Sequence, residues 1–134
     1  MTDFNRASFQ KRNFSAEQIA KYFASATKNL RIAEQIAIPE VRFKFSYDAL
    51  IKIAITLIAK HGFKVINKVG HHIIILKKLS EILEDTDIEV IANKMRTKRN
   101  LDLYDEGLLI TEKEADQYFK FVNNISKQAE KIIF

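Results

Sequence analysis

Lys94, Arg96, Lys98 and Arg99 crowd cations into one short stretch, and Asn100, Asp102, Tyr104 and Asp105 follow directly. A guanidinium can grip a phosphate through two parallel hydrogen bonds, so this stretch reads as an anion site. Tyr104, between Asp102 and Asp105, is not explained by core packing and is a candidate functional residue beside Arg99. Arg96, Lys98, Arg99 and Asn100 are the phosphate-binding set. The same cations also suit a last helical turn, where each stabilises the negative end of the helix dipole by about 0.3–1 kcal/mol. The stretch is therefore expected to be a helix end running out into a polar loop over residues 100–110, which contains Gly107.

His71 and His72 are the second feature with chemical reach. They follow Gly70 at an expected helix start, where exposed N–H groups attract anions. Phosphate binding or proton transfer is one reading of them. In the other, one caps or packs against the helix while its neighbour faces solvent. Adjacent helical residues point about 100° apart, so the two rings do not readily bind one atom. Tyr22, Tyr47 and Tyr118 fall on apolar faces and read as core residues with a hydroxyl at the rim. Tyr104 stands instead among polar residues.

Other chemistries lack their patterns. Gly62, Gly70 and Gly107 stand far apart, so no glycine-rich phosphate loop exists. No pair of histidines has helical ligand spacing, and no metal or cofactor is expected. Ser, His and Asp are present without the spacing of a known triad motif.

The elements that must position these residues are helices. Ser15-Ala16-Glu17-Gln18, Thr86-Asp87-Ile88-Glu89 and Thr111-Glu112-Lys113-Glu114 read as capping boxes. Ile19, Tyr22, Phe23, Ala26, Leu30, Ala33 and Ile36 give the first helix its apolar face, ending near Ala37. Pro39 suits the first position of a second helix and Gly62 its C-terminal cap. From Ala49 to Ala59 that helix is apolar save Lys52 and Thr56, which join Asp48 and Lys60 in one polar line. So apolar a girth predicts burial on most sides. Residues 63–69 read as a connector. A third helix opens at Gly70-His71-His72, with four apolar residues from Ile73 to Leu76. That surplus, with that of the second helix, predicts a homodimer contact. A short fourth helix carries Ile88, Ile91, Ala92 and Met95, and a fifth carries Ala115, Tyr118, Phe119, Val122, Ile125, Ala129 and Ile132. The fold class is all-α, an antiparallel four-helix up-and-down bundle with an additional short helix. Residues 1–14 form an N-terminal arm partly docked through Phe4, Phe9 and Phe14, and residues 15–134 form one domain.

Composition agrees. With 3 Gly and 1 Pro in 134 residues, a turn-rich β architecture is disfavoured. The absence of Cys excludes disulfides and thiolate metal sites and suits a cytoplasmic protein. No secretory signal or membrane span is expected. The net charge of +5 is uneven. Residues 1–67 hold 11 cations and 5 anions, +6, against 11 and 12, −1, in the rest. Such a balance is compatible with nucleic acid as a partner and does not demand it.

Residues 15–133 resemble a HEPN domain, a small all-α module of prokaryotic toxin–antitoxin and defence systems. The resemblance rests on Ile19-Ala20-Lys21-Tyr22-Phe23 with Ala26 and Leu30, on Gly70-His71-His72, and above all on Arg99-Asn100 followed by Tyr104-Asp105. The last is similar to the family's signature of Arg, a polar residue and a later His. The resemblance implies an RNA-directed toxin or metal-independent endoribonuclease acting as a homodimer. Its alternative implication is a non-catalytic HEPN partner of a separately encoded nucleotidyltransferase. The chain departs from the signature: no His follows Arg99, and Tyr104 stands where one would be. In a second alignment Asp102 takes that place. A tyrosine with a pKa near ~10 is a poor base at neutral pH, so the missing His leaves the base unassigned.

Overall fold

The structure, a computed structural model, describes residues 3–104 and 110–134, with the backbone alone for 102–104. Asp105 and Gly107 lie outside the described residues. The described chain is mostly helical: β1 (Phe9–Lys11), α1 (Ala16–Gln35), α2 (Pro39–Lys60), β2 (Phe63–Val65), α3 (His71–Ile82), α4 (Thr86–Tyr104) and α5 (Glu112–Ile133). None of its helices is long and apolar enough to cross a membrane.

Helix starts follow their local chemistry. The Ser15 hydroxyl accepts from the Gln18 amide, and the Gln18 side chain accepts from the Ser15 amide. Thr111 and Glu114 make the same reciprocal pair ahead of α5. The expected third box is different. Thr86 is already helical, and the Asp85 carboxylate accepts from the Asp87 amide at 3.0 Å. A carboxylate one residue earlier caps α4, favoured by the helix dipole.

Helix α2 is the centre and touches α1, α3, α4, α5 and β2. Phe43, Tyr47, Leu50, Ile53, Leu57 and Ile58 are buried around its girth. Most of the apolar surplus read as a dimer surface is thus used within the chain. Its polar line does not face water throughout. Thr56 is buried, as is Ser46 outside that line, and their hydroxyls bond back to the Lys52 and Arg42 carbonyls at 2.7 and 2.8 Å. Arg42 ties three helices together. Its Nε donates to the Ala33 carbonyl at 2.9 Å, satisfying an open acceptor near the end of α1, and its guanidinium pairs with Asp116 of α5.

The arm is docked more firmly than its sequence suggests. β1 pairs antiparallel with β2, Phe9 opposite Val65 and Lys11 opposite Phe63, so part of the expected connector is strand. A two-stranded ribbon is marginal alone. Here Phe9 is buried, Phe4 stacks on Phe63 at 4.3 Å, and the Lys78 ammonium lies 4.6 Å from the Phe4 ring centre.

The largest correction concerns α4. The expected short helix and the first part of the polar loop, residues 100–104, are one 19-residue helix, Thr86–Tyr104; residues 105–109 of the expected loop lie outside the described residues. No Gly or Pro interrupts residues 86–106, and Lys, Arg, Met and Leu are good helix formers. Polarity suits the partly exposed face of a helix as well as a loop. The shortest described helix is α3, with 12 residues.

Candidate functional site

The helical course of the basic stretch divides it. Arg96, Arg99 and Asn100 stand at i, i+3 and i+4 and share one face of α4. Lys94, Thr97, Lys98 and Leu101 follow the same spacing on another face and line a shallow groove with Val90 and Tyr118. The Lys98 ammonium pairs with Glu114 of α5 at 3.3 Å. Lys98, expected to bind phosphate, is therefore turned from the arginine face, because three residues make nearly a full turn and two do not. Tyr104 is the last described residue of α4, and its side chain, like that of Asp102, lies outside the described residues.

The arginine face meets the start of α3. Val69, Gly70, His71, His72, Ile73, Arg96 and Asn100 line a cleft of about 390 Å³. Two regions that the sequence holds far apart, the histidine pair and the arginine stretch, thus share one site. Gly70 caps α3 with φ 79°, a left-handed conformation that costs a side-chain-bearing residue roughly 1–2 kcal/mol. No side chain caps the helix there, and the His71 and Ile73 amides donate to the Lys68 and Gly70 carbonyls, so what the helix start adds to the cleft is its dipole. No carboxylate lines the cleft among the described residues.

Each imidazole is held at Nδ1. His71 Nδ1 lies 3.0 Å from the Lys68 carbonyl, which can only accept; Nδ1 therefore carries hydrogen and Nε2 the lone pair of the neutral ring. His72 Nδ1 lies 3.0 Å from the Tyr47 hydroxyl, leaving Nε2 as the nitrogen able to meet a ligand. The rings stand edge to face, 4.7 Å between centres. Arg96 is steadied by Asn93, whose side-chain oxygen accepts from Nε at 3.2 Å.

Burial holds the His72 pKa below its ordinary value, helped by the charges of His71, Arg96 and Arg99 and opposed by Asp48. The neutral form of the ring is thereby favoured. Burial likewise pushes the Tyr47 hydroxyl up to about 12 against the opposing pull of Arg96 and Arg99, so it is a neutral hydrogen-bond partner. Arg99 is near enough for its charge to act on both groups. No family model, curated protein or solved structure matches this chain.

Tyr47 is the residue the sequence reading undervalued. It is buried, as expected of a core tyrosine, yet its hydroxyl orients His72. The available signal was that a buried tyrosine hydroxyl needs a partner. The identity of that partner depends on α2 packing against α3. Among the described residues no group of three or more His, Asp or Glu could hold a metal ion.

Proposed function

We propose that the cleft between α3 and α4 binds the phosphodiester of single-stranded RNA and cleaves it through the 2′-hydroxyl, in a HEPN-like toxin or defence component. The observation that carries the reading is the meeting of His72, held by Tyr47, with the Arg96 face of α4. The HEPN resemblance lacks a His after Arg99; His72 brings one to the arginines from α3. His72 Nε2 takes the 2′-hydroxyl proton, which requires the Tyr47 oxygen to accept from Nδ1–H. The freed 2′-oxygen attacks phosphorus, and the bond to the 5′-oxygen breaks. Protonated His71 supplies the leaving oxygen with its proton, yielding a 2′,3′-cyclic phosphate and a 5′-hydroxyl. Arg96 and Arg99 offset the charge that develops on the phosphoryl oxygens.

Two imidazoles about 100° apart on a helix suit this division, because the two proton transfers occur at different atoms. A homodimer belongs to the same proposal. Val69 and Ile73, exposed at the cleft mouth, are the apolar surface a twofold partner would cover. An antiparallel up-and-down order of the longer helices belongs to it as well.

The test is to express the protein alone, follow growth and total RNA integrity, and incubate purified protein with a synthetic RNA. Cleavage that yields cyclic phosphate and is lost in His72→Ala and Arg96→Ala supports the reading. A folded protein that leaves RNA intact in both settings defeats it and returns the chain to the alternative, a binding partner of a nucleotidyltransferase.

A further inference from the structure

The basic N-terminal half holds two adjoining hollows built from different elements. The arm, α1, α2 and β2 enclose a pocket of about 190 Å³ with Phe14, Tyr22, Ile55 and Phe63 among its walls. Phe14 and Tyr22 meet edge to face, 5.7 Å between ring centres, and Phe63 is backed by Phe4. The volume is below the roughly 300–1,000 Å³ of sites for drug-sized ligands, so the pocket suits one ring system. Asn67, also in the wall, carries both a donor and an acceptor. A ring with a hydrogen-bonding edge matches that wall better than a plain hydrocarbon.

Past Tyr22 and Ile55 the surface continues into a shallower hollow of about 140 Å³, which adds Lys52 and Ser25. Lys52 is half-buried, and its ammonium donates to the Ser25 hydroxyl at 2.9 Å. Among the described ion pairs it has no carboxylate. An ammonium partly removed from water with only a hydroxyl beside it favours an arriving anion. Arg12 and Lys64 add positive charge to the larger pocket, and no carboxylate lines either hollow among the described residues.

We propose that these adjoining hollows form a nucleotide site, with the base among Phe14, Tyr22 and Phe63 and the 5′-phosphate on Lys52 and Ser25. Aromatic walls accept any base by its π face, while Lys52 requires the anion. The nucleotide is either a free mononucleotide or one unit of a single strand, and the recognising chemistry is the same.

The experiment is calorimetric titration of the full chain with AMP, GMP, CMP and UMP and with the matching nucleosides, beside an eight-nucleotide single-stranded RNA. A nucleoside is expected to bind about tenfold or more weakly than its monophosphate, because a charge-assisted contact is lost. Lys52→Gln should remove that difference. Ile55→Trp, at a partly exposed position, should plug the pocket and weaken every ring ligand. Ser25→Ala, with circular dichroism to verify folding, replaces Lys52→Gln should the latter fail to fold. Sensitivity of the mononucleotides to these variants identifies a free nucleotide; sensitivity of the RNA alone identifies a nucleotide within a strand. The proposal is overturned if nucleoside and monophosphate both bind the wild type measurably and with equal affinity. It is also overturned if the variants change neither ligand class, or if no ligand binds at millimolar concentration.

Discussion

Replacing Tyr47 by Phe removes one oxygen atom and keeps the ring that edges the core. The lost contact is the 3.0 Å bond to His72 Nδ1. Tyr47 is 2% exposed, so no water readily takes the place of its hydroxyl. Deleting one partner of a buried neutral hydrogen bond costs about 1–3 kcal/mol, since the other is left unsatisfied. His72 is only half-buried and can recover some hydration, which places the cost at the lower end, about 1–2 kcal/mol. In a domain of this size each kcal/mol moves the melting temperature by roughly 3–5 °C. A fall of about 3–10 °C is therefore expected in scanning calorimetry. Tyr22→Phe, at a partly exposed position, serves as the control and should stay within about 0.5 kcal/mol. The functional consequence is separable. With Nδ1 no longer fixed, His72 populates both tautomers, and nitrogen chemical shifts of the ring should report the change. On the proposed reading, RNA cleavage should fall while RNA binding, assigned there to the arginines, persists. A melting temperature within 1 °C of wild type (about 0.2–0.3 kcal/mol), together with unchanged His72 nitrogen shifts, would refute the Tyr47–His72 pairing.

The remaining predictions concern charge, pH and capping. Arg96→Ala should weaken RNA binding and reduce its salt dependence, whereas Lys98→Ala, paired with Glu114 on another face, should change both little; filter binding across a salt series separates them, and equal losses would mean a diffuse basic surface. Because His72 titrates below its ordinary value of 6.5 when folded, the unfolded chain binds more protons in the interval between the two values. The stability that His72 contributes is thus fully present above pH 6.5 and is lost as pH falls through the folded value. Arg96→Ala, by removing one charge that opposes protonation of His72, should bring its folded value closer to 6.5 and make that loss smaller in thermal melts; His71, Asp48 and Arg99 also act on the ring and are left unchanged. Thr111→Ala breaks the capping box of α5 and should cost about 1 kcal/mol, seen as a lower urea midpoint with an unchanged slope.

Much of the helical framework is local and therefore legible in the chain. Ser15 with Gln18 and Thr111 with Glu114 satisfy their own helix ends within four residues, and Pro39 needs no partner to begin α2. The apolar period of α1, from Ile19 through Phe23, Ala26, Leu30 and Ala33, names its buried face without reference to what covers it. Local reading failed where a residue type suits two structures. The polar run from Lys94 to Tyr104 satisfies a loop or an exposed helix equally, and the lack of Gly or Pro before Gly107 was the better guide. Phe63–Val65 became strand because β1 lies beside it, a pairing separated by more than fifty residues.

The candidate site belongs to the second category almost entirely. His71, His72, Arg96, Arg99 and Asn100 were visible as residues able to bind phosphate, because charge and hydrogen-bonding capacity are properties of the side chain alone. Their division was not. A helix turning 100° per residue sends Arg96 and Asn100 into the cleft and Lys98 toward Glu114, and only the helical state of α4 decides that. The partner of Tyr47 and the lowered pKa of His72 required α2 and α3 to pack together, since burial is a property of the assembled core. Sequence by itself determined which groups are available for chemistry and where most helices begin; tertiary packing decided which of those groups share a face, because proximity across distant segments is created only when the helices bury their apolar sides.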